Sequence, residues 1–153
     1  DFWEYDPSTN TWTQKANFGV EKRESAVGFA IGNKGYIGTG YGYGLAKDFW
    51  EYDPSTNTWT QKANFGGTAR NFAVGFAIDK KGYIGMGDDS AISIGYTKDF
   101  WEYDPSTNTW TQKLDFGGTA RHGAVGFAIG NKGYIGTGYN GTSGTKDFWE
   151  YNP

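Results

Sequence analysis

The chain has 153 residues, 14 basic and 17 acidic side chains, one histidine and no cysteine. This balance gives no electrostatic footprint for nucleic acid or an anionic membrane surface, no thiolate chemistry or disulfide frame, and no apolar run long enough to cross a bilayer. With 25 glycines, 19% aromatic residues and few helix formers, the composition predicts short strands joined by tight turns.

Taken in chain order, the first element is DFWEY at 1–5, followed by the turn Asp6-Pro7-Ser8-Thr9-Asn10 and the segment TWTQK at 11–15. Pro7 presets φ for a turn, and Asp6 can accept hydrogen bonds from backbone N–H groups just ahead. Alternation puts Trp3 and Tyr5 on one face of the first strand and Phe2 on the other. AVGFAI follows at 26–31, apolar throughout, which reads as a strand buried on both faces. Gly-Asn-Lys-Gly at 32–35 suits a hairpin into a strand at 35–39. DFWEY then returns at 48–52 and 99–103, and once more at 147–151. TWTQK returns at 58–62 and 109–113, AVGFAI at 73–78 and 124–129, and the GYIG strand at 82–86 and 133–137. Fifteen residues, DFWEYDPSTNTWTQK, are identical in three copies, and Trp3, Trp50, Trp101 and Trp149 recur at steps of 47, 51 and 48 residues.

Each unit therefore holds four antiparallel strands, in the order AVGFAI, GYIG, DFWEY, TWTQK. Four strands per unit of this length mark a blade of a β-propeller. The units resemble kelch repeats in the arginine before the first strand (Arg23, Arg70, Arg121), the second-strand tyrosine (Tyr36, Tyr83, Tyr134) with its closing glycines, the third-strand tyrosine (Tyr5, Tyr52, Tyr103) and the fourth-strand tryptophan (Trp12, Trp59, Trp110). They depart from the family's paired glycine at Gly38-Thr39-Gly40 and Gly85-Met86-Gly87. The resemblance implies an all-β fold of kelch-type blades: third and fourth strands at 1–18, whole blades at 23–65 and 70–116, and strands one to three of a further blade at 121–151. It also implies a secreted or surface-exposed bacterial setting.

Blades are wedges, and a ring takes roughly 4–8 of them. Three blades would expose two flat apolar sides, and such patches mark interfaces. The sequence thus predicts a homodimer that closes a six-bladed ring, with the blade at 121–151 completed by the N-terminal segment of another chain. Thirteen strands are expected where three blades need twelve, so one terminal DFWEY is surplus. A slice of a longer repeat array is the alternative expectation.

The units differ mainly in two connections that a propeller places on one face: 20–25 with 67–72 and 118–123, and 40–47 with 87–98 and 138–146. Variable loops on a constant scaffold are where binding residues concentrate. The candidates for a ligand are Arg23, Arg70 and Arg121, whose guanidinium groups suit a carboxylate or phosphate. Beside them stand Ser25, Phe72 and His122, and the loop tyrosines Tyr41, Tyr43, Tyr96 and Tyr139, which suit a peptide or carbohydrate. The competing reading of the arginines is structural, with bonds to carbonyls or to a third-strand carboxylate such as Glu4. Packing of each tyrosine over its own blade competes in the same way.

Catalytic signals are poor. A single histidine without cysteine or a convincing nucleophile makes no triad. No cofactor is implied. No metal site is expected, Asp88-Asp89 being the one adjacent carboxylate pair outside the turns and a weak candidate for Ca²⁺. Residues 136–141 fit G-x-G-x-x-G by letter but lead into a strand, which removes the dinucleotide reading. The expected function is a non-enzymatic binding module. The competing expectation is a duplicated, reconstructed or designed structural propeller with no ligand, which the identical copies favour. An oxidase-like or sialidase-like enzyme is disfavoured.

Overall fold

A computed structural model describes residues 1–19, 21–90 and 95–153; Val20 and 91–94, both in the variable connections, lie outside the described residues. The fold is all-β. Strands β1 (Trp3–Asp6) and β2 (Thr11–Gln14) form a two-stranded hairpin. Strands β3 (Val27–Ile31), β4 (Lys34–Gly38), β5 (Phe49–Asp53) and β6 (Thr58–Lys62) form a four-stranded antiparallel sheet in sequence order. Strands β7 (Val74–Ile78), β8 (Lys81–Asp88), β9 (Tyr96–Asp104) and β10 (Thr109–Lys113) form a second such sheet. Strands β11 (Val125–Ile129), β12 (Lys132–Gly136) and β13 (Phe148–Tyr151) form a three-stranded sheet. Four meandering antiparallel sheets of this kind are compatible with a propeller-like arrangement.

Turn chemistry fixes the registers. β3 and β4 are joined by the two residues Gly32 and Asn33, with Ile31 opposite Lys34 and Gly32 at φ 60°. In the second sheet Asp79 takes that conformation at φ 51°, which costs a non-glycine residue more. Asp6 behaves as its sequence predicts: Oδ1 accepts from the Ser8 N–H at 2.8 Å and the Ser8 hydroxyl at 2.7 Å. Asp53 and Asp104 do the same.

The sheets pack through their first strands, with β7 lying between β3 and β11. Each seam has its own core. Val27, Ile31, Tyr36, Phe49, Phe65, Ile84 and Tyr103 fill the first. Val74, Phe76, Ile78, Tyr83, Met86, Phe100, Phe116 and Ile135 fill the second. Glycines let the sheets approach. A Cβ on Gly82 would stand 2.5 Å from Phe29 Cε2, and one on Gly133 would stand 2.5 Å from Phe76 Cζ. Burial on both faces of the AVGFAI strand is found only in β7, which has a sheet on each side. In β11 the same side chains are open: Ile129 is 63% exposed where Ile78 is 2% exposed. The difference comes from position in the stack, since the two strands have the same sequence.

Asparagines of the repeated Asp-Pro-Ser-Thr-Asn turn latch one unit to the next. Asn57 Oδ1 accepts from the Ala16 N–H at 2.9 Å, and Asn108 Oδ1 accepts from the Ala63 N–H at 2.9 Å. The tryptophan that follows donates Nε1–H back across the same seam, Trp59 to the Ala16 carbonyl and Trp110 to the Ala63 carbonyl, both at 3.1 Å.

Candidate binding face

The connections before the first strands and after the second strands meet on one face, joined by backbone bonds between neighbouring units. Phe72 N–H donates to the Ser25 carbonyl at 3.1 Å, and Gly123 N–H donates to the Phe72 carbonyl at 3.0 Å. Gly40 N–H donates to the Arg70 carbonyl at 2.7 Å, and Gly87 N–H to the Arg121 carbonyl at 2.9 Å. Ser25, Phe72 and Gly123 all sit at positive φ, 53°, 51° and 63°. Glycine takes this conformation freely. Phenylalanine does not, and a bulky residue held there stores strain of roughly 1–3 kcal/mol.

Phe72 is 46% exposed. Its ring lies 5.5 Å from His122, which in turn lies 4.6 Å from Tyr96 and 5.8 Å from Tyr139. Tyr96 and Tyr139 meet edge to face at 6.2 Å. The backbone explains the grouping. His122 and Tyr139 exchange N–H to carbonyl bonds, and β9 extends to Tyr96 by pairing it with Asp88 beyond an irregularity at Gly85 and Gly87. The Nδ1 of His122 is buried without a hydrogen-bond partner, as is the Oδ1 of neighbouring Asn71.

The structure thus brings Phe72, Tyr96, His122 and Tyr139 together, with Ser25 beside them through the backbone. It leaves the other two tyrosines apart. Tyr41 pairs with Glu24 and Leu45 through its backbone, and Tyr43 projects almost fully into solvent. The glycine-rich loop 40–47 turns back on itself, with Gly42 N–H bonded to the Gly44 carbonyl.

The three arginines point inward. Arg70 and Arg121 are each 1% exposed. Arg70 donates to both oxygens of Asp99 at 2.6 and 2.9 Å, to Thr97 Oγ1 at 2.7 Å, to the Met86 carbonyl at 3.0 Å, and to Thr68 through its carbonyl and its hydroxyl. Arg121 repeats this set on Asp147, Thr145, Thr137 and Thr119. Arg23 grips Asp48 at 2.6 and 2.9 Å and reaches the Thr39 carbonyl at 3.2 Å. Each guanidinium also lies about 5 Å above a phenylalanine ring, Phe18, Phe65 or Phe116. The donors of Arg70 and Arg121 are spent on the protein itself, as are the terminal nitrogens of Arg23. The carboxylate partner is the aspartate that opens the second, third and fourth DFWEY runs, not the glutamate within them, and the Trp50, Trp101 and Trp149 indoles also donate to Asp48, Asp99 and Asp147. Burial pushes the Asp99 carboxyl up, but the Arg70 bonds and charge, then Trp101, outweigh it and hold it below its ordinary value. Bonds from Arg121 and then Trp149 hold Asp147 low as well.

Arg23 makes fewer bonds because Glu21 and Ala46 stand where the other units have threonines, and its Nε is buried without a partner. Ala46→Thr restores the hydroxyl that Thr97 and Thr145 supply. It is expected to stabilise the chain by about 1 kcal/mol, seen as a higher midpoint in urea with an unchanged slope. An unchanged midpoint would show that the first unit closes its clamp differently.

Asp88 accepts from the Ser90 N–H, and Asp89 is buried, accepting from the Thr68 hydroxyl at 2.7 Å. Among the described residues no group of three or more His, Cys, Asp or Glu side chains converges as metal ligands. No family model matches the chain, and no curated protein matches it.

Proposed function

We propose that this chain is a non-enzymatic kelch-type β-propeller scaffold that binds a peptide or a glycan on its loop face, and that two copies close a six-bladed ring. The observation that carries the binding reading is Phe72. A large aromatic side chain is held in a strained left-handed conformation, half open to solvent, where the third unit has glycine. Strain of this kind is retained where the side chain has a task. His122, Tyr96 and Tyr139 continue the surface with flat apolar rings that carry polar edges, the chemistry used on sugars and peptides. A face with one histidine and no thiol favours binding over covalent catalysis.

The ring reading is supported by complementary sides. Val125, Phe127 and Ile129 form an exposed apolar ridge on β11, where their equivalents on β3 and β7 are buried or half-buried. Gly28 and Gly35 line the opposite side of the chain. A Cβ there meets nothing nearer than 3.7 Å, whereas Gly82 and Gly133 receive Phe29 and Phe76. The ridge of one copy fits the hollow of another by the packing already present at both seams. The identical fifteen-residue copies favour the second reading, a structural repeat protein with no ligand.

Glycan and peptide arrays separate the two. A ligand is expected, and Phe72→Ser, which places the first unit's residue at this position, should weaken its binding by roughly tenfold or more while thermal stability is kept. Silence on both arrays, or binding indifferent to Phe72, would leave the structural reading in place.

A further inference from the structure

The sheet β11–β12–β13 has an open edge along β13. Beside it runs an apolar groove of about 350 Å³, lined by Phe100, Leu114, Phe116, Ile135, Trp149 and Tyr151. Two other places in the chain show what such a groove holds. Trp110 sits 5.0 Å from Phe49, 5.2 Å from Phe65 and 5.0 Å from Tyr103, with its indole N–H on the Ala63 carbonyl. Trp59 sits among Phe2, Phe18 and Tyr52 at 5.0, 5.2 and 5.0 Å, with its N–H on the Ala16 carbonyl. Phe100, Phe116, Tyr151 and the Leu114 backbone are the same four parts. One TWTQ tryptophan stands outside such a nest: Trp12 on β2 is largely exposed, and among the described residues its one ring neighbour is Tyr5. Asn10, the equivalent of the latches Asn57 and Asn108, accepts from the Tyr5 hydroxyl and, among the described residues, from no backbone N–H of another unit.

We infer that β2 of a second copy docks along β13 as the fourth strand of that sheet, and that the β1 strand of that copy gives way to β13. The inference rests on the dimer reading above and names the contact that makes it. Trp12 enters the groove, its indole N–H meets the Leu114 carbonyl, and Asn10 receives the Leu114 N–H. Lys15 leaves Glu4 for Glu150, as Lys113 pairs with Glu102 within the chain.

β1 and β13 come from the same DFWEY repeat and share its WEY residues, so they compete for one place, which accounts for the thirteenth strand. Anchoring decides between them. Asp147 before β13 is gripped by Arg121, Trp149 packs on Phe116, and Tyr151 packs on Phe100 and Tyr83. Among the described residues no arginine reaches Asp1, which accepts from Trp3, and β1 is tied to its neighbouring sheet by Phe2 against Tyr52 and Trp59. When β1 leaves, the exposed Phe148 of the other copy takes over the contacts of Phe2. The strand with fewer anchors is the one released.

Paired cysteines in this cysteine-free chain test the register. Glu51 stands opposite Thr60 and Glu102 opposite Thr111, so Glu150 is to meet Thr13 of the other copy. Thr13→Cys with Glu150→Cys should convert on oxidation to a covalent dimer of twice 16.9 kDa, while each single variant does not. Facing residues of adjacent strands lie within disulfide reach. Glu4→Cys with Tyr134→Cys reports the opposite arrangement, in which the whole hairpin docks and β13 leaves; a covalent dimer from that pair overturns the inference and keeps the ring. A dimeric mass by light scattering with neither pair linking overturns the inference alone. A monomeric mass at micromolar concentration overturns both.

Discussion

Gly133→Val and Gly82→Val are each expected to destabilise the chain by about 3 kcal/mol, while Gly35→Val leaves the fold intact and keeps the chain monomeric. The three glycines occupy the same place in three units, one residue into the second strand. Their surroundings differ. A Cβ on Gly133 or Gly82 runs into a phenylalanine ring of the neighbouring sheet, and that ring is fixed by its own stack with a tyrosine, Phe76 on Tyr83 and Phe29 on Tyr36. A packed seam cannot absorb the three added carbons of an isopropyl group without moving a strand. At Gly35 the same atoms point away from the stack, and valine suits a strand better than glycine does. There the cost falls on the second copy, whose Phe127 is to sit against this hollow. Urea midpoints give the first effect and light scattering the second. If Gly35→Val still yields a dimeric mass, the copies meet elsewhere; if Gly133→Val melts like the parent, the seam is looser than its packing indicates.

Repetition made the fold legible. Strand positions, the turn at Asp6-Pro7 and the all-β class follow from DFWEY, TWTQK, AVGFAI and GYIG recurring at steady spacing, and the observed strands lie within these segments or extend them by a few residues. What repetition hides is contact between units. Asn57 and Asn108 read as turn residues, yet each ties its sheet to a backbone N–H more than forty residues away. Asp48, Asp99 and Asp147 read as the first letter of a strand, yet each is the arginine's partner. A signal was present: an aspartate precedes every FWEY, as an arginine precedes every AVGF. Sequence alone left Glu4 and its equivalents as rival partners, because spacing does not say which carboxylate faces inward. At the loop face, the aromatic residues were found but not their grouping. Tyr96 joins His122 because β8 and β9 run on past Gly87, while Tyr41 and Tyr43 lie in a glycine-rich loop that folds on itself.

Arg70→Met carries the other large expected effect, a loss of roughly 3–5 kcal/mol and a fall in melting temperature of about 10 °C. Arg70 is fully buried and binds four groups besides both oxygens of Asp99, so its removal leaves a carboxylate and four carbonyl or hydroxyl oxygens without this donor. Asp99 keeps the Trp101 N–H but loses its countercharge. Arg70→Lys should recover only a part, since an ammonium cannot hold both oxygens in the plane of the carboxylate. Arg70→Met combined with Asp99→Leu should recover more than Arg70→Met alone, because no charge is then left buried and unpaired. The pH dependence separates this from simple loss of packing. The folded carboxyl of Asp99 lies below its ordinary value, so its contribution is fully present above the unfolded value near pH 4 and is lost as pH falls through the lower folded value. Asp99→Asn should therefore cost stability at neutral pH and flatten the acid limb of the stability curve. A variant that keeps the parent's acid limb would place the sensitivity at Asp48 and Asp147, whose carboxyls are also held low, and would make the Arg70 clamp a matter of shape and not of charge.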